Sequence, residues 1–152
     1  VSQRWAVTGR GGMHVALRVL VVDDDADIRT VLRVTLERHG CEVSEAKDGK
    51  GIITTVRKCD PDVILLDIRM PGPDGFETLQ ALQDNGATRD IPVAMLTSMS
   101  DMSAIERAIE GGATGYLTKP FSVDHLHDQL EAVIGKAREA SGHKPVAYPS
   151  VV

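Results

Sequence analysis

From Leu17 onward, short unbroken apolar runs alternate with stretches in which apolar residues recur every three or four positions. The runs are Val19–Val22, Val63–Leu66, Val93–Leu96 and Tyr116-Leu117, with a shorter apolar point at Val43; the helical period is clearest at Ile28, Val31, Leu32 and Leu36. This is the rhythm of strands and helices in strict alternation. Continuous apolar runs mark strands covered on both faces, as a parallel sheet requires, whereas Cys41-Glu42-Val43-Ser44-Glu45 alternates and suits a sheet edge. Gly40, following Arg38-His39, reads as a helix stop, and Ser122 reads as the N-cap of a helix carrying Val123, Leu126, Leu130 and Val133. Further helices are expected near Gly49–Lys58, Gly75–Gln83 and Ala104–Gly111. The predicted fold class is α/β: a doubly wound, five-stranded parallel sheet with five helices.

The chain ends lack this rhythm. Residues 1–16 hold Gly9, Gly11 and Gly12 and no amphipathic period, so they read as a flexible N-terminal extension. Residues 17–138 form the expected domain, and 139–152, with Gly142, Pro145 and Pro149, read as a tail or the start of a linker. A length of 152 residues suits one domain, and 42% hydrophobic against 26% charged residues excludes wholesale disorder. No apolar run approaches the ~20 residues of a membrane span, and no signal-peptide core is present, so a cytoplasmic location without membrane contact is expected. Cys41 and Cys59 lie outside any CxxC pair and read as small buried side chains.

Net charge is −5, but residues 1–22 contain Arg4, Arg10 and Arg18 without an acid, leaving −8 on the remainder. An acidic body, in a chain with only five aromatics and no Lys/Arg cluster, is unsuited to nucleic acid, so none is expected as a partner of this chain alone.

Chemistry is concentrated where the apolar runs stop. Val19–Val22 leads into Asp23-Asp24-Asp25, Val63–Leu66 into Asp67, Val93–Leu96 into Thr97-Ser98, and Gly115–Thr118 into Lys119-Pro120. Taken singly, an Asp after a strand can be a helix cap, Thr97 a turn residue and Lys119 a solvated cation. Four such coincidences at successive strand ends point instead to one crevice at the carboxyl edge of the sheet. Clustered carboxylates repel unless a cation stands among them, and a hard divalent ion such as magnesium (Mg2+) fits an all-oxygen set. With Lys119 on the other side, such a crevice could stabilise a phosphoryl group in transfer, with Asp67 as the nucleophile.

The segments VLVVDD ending at Asp24, VILLDIRMPGPDG around Asp67, PVAMLTS around Thr97 and GATGYLTKPF around Lys119 resemble the CheY-like receiver domains of two-component response regulators over residues 17–138. The spacings of 43, 30 and 22 residues between Asp24, Asp67, Thr97 and Lys119 suit that family. The resemblance implies a flavodoxin-like strand order 2-1-3-4-5. It implies Asp67 as the phosphoacceptor, served by a sensor histidine kinase or histidine phosphotransfer protein. Asp23, Asp24, Asp67 and the backbone carbonyl of Arg69 would hold Mg2+. Thr97 and Lys119 would bind the phosphoryl oxygens, and Tyr116 would be the aromatic switch, although a buried core role for Tyr116 is the competing reading. It also implies a cis peptide before Pro120. Arg69 and Met99, two residues beyond Asp67 and Thr97, border the path of attacking water and are expected to tune the lifetime of the aspartyl phosphate.

The resulting expectation is a signalling switch rather than a dedicated enzyme, one that catalyses its own phosphorylation and dephosphorylation. It would act on an unknown downstream protein, and homodimerise through the face of the fourth helix, fifth strand and fifth helix. A stand-alone regulator is preferred over the receiver fragment of a longer regulator with an output domain. The enzyme alternative is a haloacid-dehalogenase-type phosphatase using the Asp23/Asp25 pair with Asp23 as nucleophile. A phosphate-independent scaffold fits poorly with a complete acidic set, and no GxGxxG follows a strand to bind a dinucleotide.

Overall fold

A computed structural model describes residues 5–7, 13–98, 101 and 103–140. The sheet strands are β3 (Arg18–Val22), β4 (Glu42–Ala46), β5 (Val63–Asp67), β6 (Val93–Ser98) and β7 (Gly115–Lys119); the helices are α1 (Ala26–Arg38), α2 (Ile52–Cys59), α3 (Gly75–Asp84), α4 (Ala104–Glu110) and α5 (Leu126–Ala140). The five strands are parallel in the order β4-β3-β5-β6-β7, which is the expected 2-1-3-4-5 order of the flavodoxin-like fold. Ahead of them, β1 (Trp5–Val7) and β2 (Met13–Val15) pair antiparallel as a separate two-stranded sheet. These six residues lie within 1–16, the stretch read from the sequence as a flexible N-terminal extension. At the other end α5 runs to Ala140, two residues past the expected boundary at 138.

Strand pleating explains the two-layer core. Val19 and Val21 of β3, with Val63 and Leu65 of β5, face α1 and α5, where Leu32, Leu36, Leu126 and Leu130 cover them. Leu20, Val22, Ile64 and Leu66 point the other way, onto Ile52, Val56, Leu79 and Ala108 of α2, α3 and α4. Alternate residues of an unbroken apolar run thus serve opposite layers, and each large side chain so buried contributes about 1.5–3 kcal/mol. The edge strand β4 is partly exposed, as its alternation required.

Helix ends follow local chemistry. Asp25 caps α1 by accepting the Asp27 and Ile28 amides at 2.9 and 3.4 Å, and Asp74 caps α3 through the Glu77 amide at 2.9 Å. Helix α1 stops as expected at Gly40, which takes φ 82°, with Gly40 N–H on the Glu37 carbonyl and Cys41 N–H on that of Leu36. Ser122 is a correction: its carbonyl accepts the His125 amide in a preceding turn, and α5 begins only at Leu126, leaving Val123 exposed. The Lys119–Pro120 bond is cis.

The β5–α3 connection brings two backbones into contact. A Cβ on Gly75 would meet the Asp67 carbonyl and stand 2.6 Å from Ile68 Cα. Gly75→Ala should therefore force this turn apart and cost roughly 1–3 kcal/mol, read as a lowered chemical-denaturation midpoint. An unchanged midpoint would show that the turn has slack.

Candidate functional site: an acidic crevice at the carboxyl edge of the sheet

Adjacent parallel strands end side by side, so residues far apart in the chain meet at one rim. Asp23 and Asp24 leave β3, Asp67 closes β5, Thr97 stands near the end of β6 and Lys119 closes β7. Carboxylate oxygens of Asp23, Asp24 and Asp67 lie within 4.8 Å of one another. Lys119 reaches across with Nζ 2.8 Å from Asp23 Oδ2 and 3.3 Å from Asp67 Oδ1. Asp23 is 0% exposed and Asp67 5%, whereas Asp24 faces solvent.

Backbone donors fix the two buried acids. Asp23 Oδ1 accepts the Asp25 amide at 2.9 Å, and Asp67 Oδ1 accepts the Arg69 amide at 3.3 Å. Burial, and then the negative charge of Asp23, push the Asp67 pKa up to about 6, although Lys119 and the Arg69 amide pull it down. Burial pulls the Lys119 ammonium down, but its hydrogen bond to Asp23 and the charges of Asp67 and Asp23 outweigh that and leave it above the usual lysine value. The ammonium therefore stays charged while Asp67 retains basicity unusual for an aspartate.

The remaining predicted residues are placed unequally. Thr97 is buried and its Oγ1 donates to the Ser98 carbonyl at 3.2 Å. Tyr116 is 43% exposed, which sets aside its reading as a core aromatic. The Arg69 guanidinium turns away from Asp67 and holds Asp101 in a bidentate pair, Nε to Oδ2 at 3.0 Å and Nη2 to Oδ1 at 2.8 Å. Asp101 was not anticipated: it carries no periodic or motif signal, and only the meeting of two loops reveals it. Met99 lies outside the described residues.

A family model described as the response regulator receiver domain matches residues 19–131. The chain belongs to this family. As a receiver domain it is of the signalling-switch class, and the phosphatase alternative falls; Asp25, the second acid of that alternative, is committed to capping α1. The receiver is 39% identical over 120 residues to the phosphate regulon transcriptional regulatory protein PhoB of Klebsiella pneumoniae, covering 79% of this chain and 52% of that protein. It is 38% identical over 118 residues to the DNA-binding dual master transcriptional regulator RpaA of Synechocystis, covering 77% and 48%. The chain thus spans about half the length of these curated relatives. Among solved structures, the chemotaxis protein CheY4 of Vibrio cholerae superposes with a TM-score of 0.72 at 35% identity, over 78% of this chain and 98% of that one. A response regulator described as putative, from Chloroflexus aurantiacus, gives 0.74 at 31% identity, with the same coverage. No helix among the described residues is long and apolar enough to cross a membrane.

The raised Asp67 pKa has a stability consequence of definite sign. Between about pH 4 and pH 6 the folded state binds more protons at Asp67 than the unfolded chain, so the contribution is complete below the unfolded value of 3.8 and is lost as pH rises through about 6. In EDTA-containing buffer at pH 7.5, taken as roughly neutral, Asp67→Asn should be more stable than the parent by on the order of 2 kcal/mol, the gap closing toward pH 4. Thermal denaturation of both proteins across this range checks it; a gap independent of pH would refute the assignment.

Proposed function

We propose that this receiver accepts a phosphoryl group on Asp67 from a phosphohistidine of a sensor kinase or phosphotransfer protein and thereby switches a protein-interaction surface. The observation that carries the reading is the meeting of three carboxylates from two strand ends with one ammonium that bridges the buried pair. The donor set is all oxygen and fits magnesium, with Asp23, Asp24, Asp67 and the Arg69 backbone carbonyl as its protein ligands. Bound there, Mg2+ would supply charge neutralisation for the carboxylates and the phosphoryl oxygens.

This chain's residues account for the remaining chemistry. An Asp67 carboxylate oxygen attacks phosphorus, the phosphorus–nitrogen bond of the donor breaks, and the departing imidazole keeps the bonding pair and takes up a proton. The product is an acyl phosphate, and autodephosphorylation is attack of water on the same phosphorus. Lys119, already against Asp67, follows the new oxygens, and the Thr97 hydroxyl donates to them. Movement of Thr97 draws Tyr116 inward from its exposed position. That motion reshapes the face of α4, β7 and α5, where Ile109 and Tyr116 are exposed, which we assign to the downstream protein target and to a homodimer. The reading places the chain in the cytoplasm as a domain of residues 17–138. The curated relatives named above, transcriptional regulators about twice its span, favour a receiver that works with an output module, against the stand-alone reading.

Incubation with acetyl phosphate and magnesium should add the mass of one phosphoryl group, located on Asp67 by peptide mass spectrometry and absent in Asp67→Asn. Label elsewhere, or label surviving that substitution, would overturn the assignment.

Arg69 and Met99 are assigned to phosphoryl lifetime. The Arg69–Asp101 pair joins the loops after β5 and β6 at the rim, restricting the approach of water. Arg69→Asn should raise the rate of phosphate release from the phosphorylated protein severalfold, and Met99→Glu should do likewise; unchanged rates would remove both from this role.

A further inference from the structure

The helices α1 and α5 carry a second group of ligating side chains that shares no residue with the acidic crevice. His39, at the end of α1, and His127, in the first turn of α5, stack with ring centroids 5.0 Å apart and planes 11° from parallel. His127 is 8% exposed, and its Nε2 lies 3.8 Å from Glu131 Oε1, one turn along the same helix. Ligand atoms of His127, Asp128 and Glu131 all lie within 4.8 Å of one another.

Two features distinguish this group from an ordinary packed pair. Among the described residues, Glu131 Oε1 is buried without a hydrogen-bond donor, an arrangement that costs free energy unless a cation stands there. His39 Nδ1 is 3.0 Å from the Thr35 carbonyl, which only accepts, so Nδ1 carries the proton and Nε2 presents a lone pair. A ring nitrogen bonded to a backbone carbonyl is the usual outer support of a metal-ligating histidine.

We propose that His127, Asp128 and Glu131 form a binding site for a divalent transition ion of the zinc class, with His39, stacked on His127, as a fourth donor. Two imidazoles and a carboxylate match the preference of zinc for nitrogen and oxygen, whereas magnesium takes oxygen alone. The 3.8 Å between His127 Nε2 and Glu131 Oε1 is close to the ~3.4 Å edge of a tetrahedron with bonds of about 2.05 Å. Capture of the ion turns the His127 ring about its Cβ–Cγ bond and ends the stacking, while His39 keeps its Thr35 support. Since α1 and α5 pack together on one face of the sheet, the ion would cross-link them.

The test uses the full chain carrying Asp23→Asn and Asp67→Asn, which removes acids of the crevice. Zinc chloride titrated by calorimetry should bind at one equivalent, undiminished by excess magnesium. Adding His39→Gln or Glu131→Gln should weaken binding at least tenfold while the far-ultraviolet circular dichroism stays unchanged. Histidine ring nitrogen resonances should shift at two residues, assigned to His39 and His127 by their loss in His39→Gln and His127→Gln. Absence of zinc uptake in this background, or uptake indifferent to all three substitutions, would overturn the proposal and assign any bound zinc to other histidines.

Discussion

Two carboxylates almost cut off from water, Asp23 and Asp67, stand at neighbouring strand ends with one ammonium between them, and the rest of the molecule is arranged around keeping them there. Neither acid could be buried charged without Lys119 and the amides of Asp25 and Arg69. The balance is incomplete, since Asp67 keeps a pKa raised to about 6. A fully neutralised aspartate would be a poor nucleophile and a solvated one would gain little from the site, so this residual tension suits a group whose charge is to change.

The sheet supplies the rigidity that such a cluster demands. Leu65 and Leu66 precede Asp67 and are completely buried on opposite layers, so the carboxylate is anchored from both sides. Sliding β5 by one residue would exchange the two layers and carry Asp67 off the rim, which the unbroken core forbids. On the proposed reading, the groups that respond to chemistry are those facing solvent: the exposed Tyr116 side chain on the edge strand β7, and the rim pair of Arg69 and Asp101. On that reading, the paired strands hold the charge and the exposed rim side chains report it.

The same separation of layers distributes ligating groups over the surface. Oxygen donors gather where strands end, because loops there carry acids that also cap the next helices, as Asp25 and Asp74 do. His39 and His127 stack where α1 meets α5, a seam that one carboxylate oxygen enters without a donor among the described residues. The two groups of ligating side chains are thus kept apart by architecture, with no side chain common to both.

Much of the fold was legible from pattern, because periodicity is a local property: an unbroken apolar run is covered on both faces, and a Gly beside other stop signals ends a helix, as Gly40 does. The identity of Asp23, Asp67, Thr97 and Lys119 as strand-end residues followed from the same runs. Where local signals failed, neighbours had intervened: Ser122 could cap a helix but lies in a preceding turn, and residues 5–7 and 13–15 pair despite a glycine-rich stretch between them. Distances between residues remote in sequence were beyond pattern altogether. The raised basicity of Asp67, the diversion of Arg69 to Asp101 and the stacking of His39 on His127 each depend on how elements pack, since Coulomb interaction and desolvation act through space rather than along the chain. The sequence by itself determined which groups would stand at the ends of which strands; only the tertiary structure decided which of them would feel one another.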